Sequence, residues 1–141
     1  MKRNAFSLIE LIFVILLLGI ISSVAIVKMG QMTERARVAK LKAFVGTLNR
    51  SVGGAIWFKS IEVGREGSVA FADYDANIDS YVELVPGYAS GPSLVNCNDG
   101  GTGVFLSYAY EKNYEVHCAD GSKTTSPNFK LFNASDNLYM N

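Results

Sequence analysis

The chain has 141 residues and is 49% hydrophobic, with thirteen basic and thirteen acidic side chains that balance to zero formal charge. A length of this order supports one small core rather than several domains. Cations gather only at 35–42, which reads as the solvated face of a helix or a juxtamembrane lipid contact, not as a nucleic-acid footprint.

Residues 1–5, MKRNA, carry two cations, Lys2 and Arg3. Residues 6–27, FSLIELIFVILLLGIISSVAIV, form an almost unbroken apolar run. At about 1.5 Å per residue it makes about 33 Å of helix, enough to cross a hydrocarbon core of about 30 Å. Lys2 and Arg3 before the run, against Lys28 alone just after it, favour a cytoplasmic N-terminus. The remainder is then expected outside the cytoplasm. Glu10 is out of place in such a run, because a carboxylate in hydrocarbon is costly and needs a partner. A secretory signal cut near Ser22, Ser23 and Ala25 is the competing reading, although the run exceeds the usual apolar core of about 7–15 residues.

The stretch AFSLIELIFVILLLGIISSVAIV resembles the N-terminus of type IV pilins and of the pseudopilins of type II secretion systems. The resemblance covers roughly the first 30 residues, about a fifth of the chain. It implies that prepilin peptidase cuts between Ala5 and Phe6 and methylates the new amine of Phe6. Glu10 matches the family's acidic position, fifth in the trimmed chain. Phe6 and Glu10 are the implied assembly residues: the amine of one subunit would meet the carboxylate of a neighbour, since a paired charge is tolerable in low dielectric where a lone one is not. Snorkelling or protonation of Glu10 is the alternative for a subunit alone in the membrane. Implied partners are the peptidase, further copies or other pilin-like subunits, an inner-membrane assembly platform and membrane lipid; a DNA partner is not indicated but stays open. Two positions depart from the family pattern. Ala5 stands where Gly is usual, and Val27 where many members carry Pro, which implies a straighter helix.

From Lys28 the pattern turns amphipathic. Val38, Leu41, Val45, Leu48, Val52 and Ile56 recur at helical spacing and fall on one face. The helix is expected to continue out of the span and to end between Gly53 and Phe58, where two glycines weaken it. Its length would then be near 78 Å. Two helices broken around Gly30 are the alternative. The expected divisions are a leader at 1–5, a membrane helix at 6–27, its amphipathic extension at 28–58 and a small globular domain at 59–141.

After residue 60, Gly, Pro, Asn and Asp become frequent. Segments 81–85, 104–111 and 114–118 read as strands, with Lys112-Asn113 as a tight hairpin turn and 129–132 as an edge strand. The fold class expected is α+β: a long N-terminal helix laid on a small antiparallel sheet, as in pilins. Cys97 and Cys118 are the only cysteines. An even count outside the cytoplasm points to one disulfide, with two buried thiols as the alternative. The resemblance adds weight to the bond, since many pilins close a C-terminal region in this way.

Asp73, Asp75, Asn77 and Asp79 alternate as DYDANID, like the start of an EF-hand loop. Ile78 stands where that loop needs Gly, and Leu84 where it needs Glu. A solvated acidic loop is the preferred reading, with a looser calcium site, known in some pseudopilins, as the alternative. Other signals are weaker. His117 reads as a sheet residue, GGTG at 100–103 as a flexible connection, and Asn133-Ala134-Ser135 as a chance match to a glycosylation acceptor. Tyr108, Tyr110 and Tyr114 suit a core better than base stacking. No catalytic constellation emerges, so neither enzymatic activity nor a cofactor is expected. The sequence points to a structural subunit of a pilus-like or type II secretion filament. A secreted extracytoplasmic binding module, possibly calcium-dependent, is the alternative.

Overall fold

The computed structural model describes residues 7–140. Helix α1 spans Leu8–Ser51, continues through a π-helical turn at Val52–Ile56 and leads into α2, Trp57–Glu62. Gly30 does not interrupt it. The chain divides into two compact units, the first ending at Ala36 and the second starting at Arg37.

In the first unit, the side chains of residues 8–26 are all exposed, among them Leu11, Phe13, Leu16 and Ile20. The helix there is long and apolar enough to cross a membrane. Its polar groups are satisfied locally: the Ser23 hydroxyl donates to the Ile20 carbonyl at 2.7 Å, and Thr33 to Met29 at 3.0 Å.

The second unit is built on the amphipathic stripe. Leu41, Leu48, Val52 and Ile56 are fully buried, Val45 is nearly so, and Val38 packs at the margin. The helix therefore runs past Gly53 and Gly54 and ends at Glu62, beyond the expected stop at Phe58. Two glycines cost about 2 kcal/mol together. Full burial of Val52 and Ile56 offsets this at about 1.5–3 kcal/mol each. The loss is absorbed by the π turn, which inserts one residue without releasing the face.

Four strands follow: β1 (Gly103–Ala109), β2 (Asn113–Ala119), β3 (Asn128–Asn133) and β4 (Leu138–Met140), antiparallel in the order β1-β2-β3-β4. In β2, Tyr114, Val116 and Cys118 alternate into the core against the helix stripe. A bulge between Val104 and Leu106 puts two consecutive residues of β1, Phe105 and Leu106, inside. Phe105 meets Phe129 of β3 edge-on, with ring centroids 5.3 Å apart.

Three strand expectations change. Segment 129–132 lies in β3, an inner strand, because β4 pairs beyond it. Residues 81–85 form no strand; Val82 and Val85 are buried by a loop that crosses the core. The hairpin turn occupies 110–112, with Asn113 already in β2, and the non-glycine residue with positive φ after a strand is Asn137, between β3 and β4.

The sheet edges are covered. Along β1 the segment 89–93 supplies two bonds, Ala89 N–H to the Ser107 carbonyl at 2.7 Å and Ser93 N–H to Phe105 at 2.9 Å. On the other side β3 is paired by β4 only at Leu131–Asn133. Beyond that, the Asn49 side chain reaches across from α1 to Phe129.

Two further ties hold the loops. One oxygen of Asp120, at the end of β2, accepts the Ser68 hydroxyl at 2.6 Å, and the other accepts the Val69 N–H at 2.8 Å. The Trp57 indole donates to the Ser122 carbonyl at 2.8 Å. Gly67 lies between these loops at φ +88°, and a Cβ there would stand 2.1 Å from the Ser122 oxygen.

Candidate functional site

The cleavage and methylation positions, Ala5 and Phe6, lie outside the described residues. Glu10 is described: it sits in the first turn of α1, exposed, with its N–H bonded to the Ser7 carbonyl at 3.0 Å. A carboxylate there faces the positive end of the helix dipole, worth a few tenths to 1 kcal/mol. It is also the single acid of an otherwise apolar surface, where only a partner from outside the chain, or water, can meet its charge.

Cys97 and Cys118 are joined, with Cα atoms 5.0 Å apart and 21 positions of sequence between them. Cys97 follows the 3-10 turn Leu94–Asn96, and Cys118 is an inward residue of β2. The bond therefore fastens the loop before β1 to the centre of the sheet. Asn98 adds to it by accepting the Asp120 N–H at its carbonyl, 3.1 Å away.

The acidic segment does not gather its oxygens. Asp73 and Asp75 fall in the short helix α3, Ala72–Asp75, and Asp79 in the turn Ile78–Ser80. Both Asp73 oxygens take the Arg65 guanidinium, at 2.8 and 2.9 Å, and this hydrogen bond holds the Asp73 carboxyl below its usual range. Asp75 accepts the Leu94 N–H, and Asn77 donates to the Asp73 carbonyl at 2.9 Å. Among the described residues no three His, Cys, Asp or Glu side chains converge as metal ligands. Arg65 also lies 4.1 Å over the Phe71 ring, so the segment forms a packed cation–π and ion-pair cluster.

The minor motifs take structural places. His117 is 7% exposed on the outer face of the sheet, between Glu115 at 2.7 Å and the Tyr139 hydroxyl at 3.0 Å, and stacks on Phe132. The side-chain amide of Asn133 is inaccessible to a glycan: it donates to Asp136 at 2.8 Å, and the residue is 5% exposed. Tyr108 and Tyr114 are in the core, while Tyr110 lies under Arg37 at 4.9 Å. Sequence reasoning did not single out Asn49 or Asp120, because their partners lie 80 and about 51 positions away and leave no local pattern.

Residues 1–26 match the family model of the prokaryotic N-terminal methylation motif. The match spans the leader, the junction between Ala5 and Phe6, Glu10 and most of the apolar run. It supports kinship with type IV pilins and pseudopilins, and the long helix with a four-stranded antiparallel sheet is a pilin-like arrangement. The motif marks chains that prepilin peptidase processes and that assemble with other pilin-like subunits. Comparison with curated proteins and with solved structures returned no match.

Proposed function

We propose that the chain is a structural, non-enzymatic subunit of a filament of the type IV pilus or type II secretion pseudopilus kind. The observation that carries this reading is the methylation motif at residues 1–26, seated on a helix whose apolar surface has no cover within the chain. In this reading prepilin peptidase removes residues 1–5 and methylates Phe6. The trimmed subunit waits in the inner membrane with its domain on the extracytoplasmic side. An assembly platform then draws it out among its neighbours.

Chemistry supports the order of these steps. Trimming removes two cations and creates one amine at Phe6. That amine is the complement Glu10 lacks within its own chain. Pairing becomes favourable only when helices stack with an axial offset, so the electrostatic gain accompanies assembly and sets register.

The test is the intact mass of the membrane-extracted protein, with and without reduction and alkylation. Loss of residues 1–5 plus one methyl group is the expected result. A mature chain beginning near residue 26 would mean an ordinary secreted domain and would overturn the filament reading.

A further inference from the structure

The charges of the second unit are segregated. Between residues 37 and 50, α1 carries Arg37, Lys40, Lys42 and Arg50 and no acid. The remainder of the chain, from 51 on, carries eleven acidic side chains against five basic ones. A body with one cationic flank and an acidic remainder complements itself head to tail, rather than through a two-fold contact of like patches.

The solvent side of that helix stretch is also smooth. Ala39, Ala43, Gly46 and Arg50 succeed one another at spacings of four, three and four, which puts them on one face. This face points away from the buried stripe: Ala39, Ala43 and Arg50 are exposed, as is Lys40 beside them. A Cβ at Gly46 would meet nothing within 4 Å. No internal contact therefore requires glycine there, although glycine in mid-helix costs about 1 kcal/mol against alanine. Small residues allow a partner's backbone to come close, and Lys40 and Arg50 at the margin call for a partner that is acidic.

The chain itself carries such a surface. Asp73, Glu66 and Asp136 are each engaged by a cation of their own domain. Glu62, Asp79, Asp99 and Glu111 are exposed and form no ion pair among the described residues.

We infer that the α1 face centred on Ala43 and Gly46 is a docking surface for the acidic side of the globular domain of a second copy. The inference rests on the filament reading and adds to it which domain surfaces meet.

The test places a photo-crosslinking residue at Ala43 of the full-length chain in membranes, and separately at Leu16 in the apolar span. The Ala43 probe should give a dimer whose crosslinked peptide contains Glu62, Asp79, Asp99 or Glu111. Its yield should fall about tenfold in Lys40→Glu/Arg50→Glu, as expected when a complementary charge pattern is reversed. Co-expression with a chain carrying Glu62→Lys, Asp79→Lys, Asp99→Lys and Glu111→Lys should restore it. Gly46→Leu, which has room within the subunit, should also suppress the dimer with no change in thermal midpoint. Capture of lipid or another protein at Ala43, or no capture, with Leu16 dimers intact, would overturn the docking surface and leave the filament reading standing. Loss of both dimers would overturn the two together.

Discussion

Asn49 satisfies both backbone polar groups of Phe129: its Nδ2 donates to the Phe129 carbonyl at 2.9 Å, and its Oδ1 accepts the Phe129 N–H at 2.7 Å. One helix side chain thus does for β3 what a neighbouring strand does elsewhere, at the point where β4 has ended. Asn49→Ala should cost about 2 kcal/mol, because two backbone groups lose their partners. In a small domain that is a drop of about 10 °C in thermal midpoint. Asn49→Asp should be worse at neutral pH, with a carboxylate against a carbonyl, and should recover in acid. Circular dichroism melts of the detergent-solubilised chain read both effects.

The Cys97–Cys118 bond ties a loop to the middle of the sheet. Replacing both cysteines with Ala should lower stability by about 3 kcal/mol, the chain-entropy value for a loop near 22 residues. The check is the urea midpoint of the variant beside that of the wild type, with and without reductant. A wild-type midpoint insensitive to reductant would contradict the role given to the bond.

Gly67 and Gly46 should respond in opposite ways. Gly67→Ala forces a side chain against the Ser122 carbonyl at φ +88° and should loosen the contact between the two loops. Trp57, the single tryptophan, bonds to Ser122 and reports the change as a fluorescence shift. Gly46→Ala meets open space and should raise stability by up to about 1 kcal/mol.

Burial raises the Tyr108 phenol above its ordinary 10.0, and the hydroxyl bonds to the Val85 carbonyl at 3.3 Å. The folded state therefore binds this proton more tightly than the unfolded state. The resulting stability is fully present below pH about 10 and is lost as pH rises toward the folded value. Thermal midpoints measured between about pH 9 and 12 should fall more steeply for the wild type than for Tyr108→Phe.

Within the proposed function, Glu10→Ala should insert and be trimmed normally, since it removes only a charge from the apolar run. Assembly should fail or drop sharply. Membrane fractionation and filament shearing read the two steps separately. Normal filaments from this variant would remove the pairing of Phe6 with Glu10.

Much of the fold was legible because the periodicities are strong. The helix stripe from Val38 to Ile56 and the alternation of Tyr114, Val116 and Cys118 are each dictated by a single repeat. What failed depended on tertiary context. Propensity ended the helix at Gly53 and Gly54, but burial of their neighbours carried it on to Glu62. The apolar 81–85 run looked like a strand but is a loop buried as it crosses the core. Strand β4 has only three residues and is held by its partners, among them Tyr139 against His117 and Phe132. For the candidate site, Glu10 was legible as a charge in an apolar run. Asn49 and Asp120 were not, because their hydrogen bonds join distant segments.

The treatment of the sheet edges carries a wider consequence. Segment 89–93 lies along β1, Asn49 plugs β3, and β4 offers three residues. A protein concentrated in a membrane and destined to polymerise faces a rival outcome, accretion strand by strand into amyloid-like aggregates. With its edges closed, the chain can be crowded safely and can multiply only through its helix and its domain surfaces.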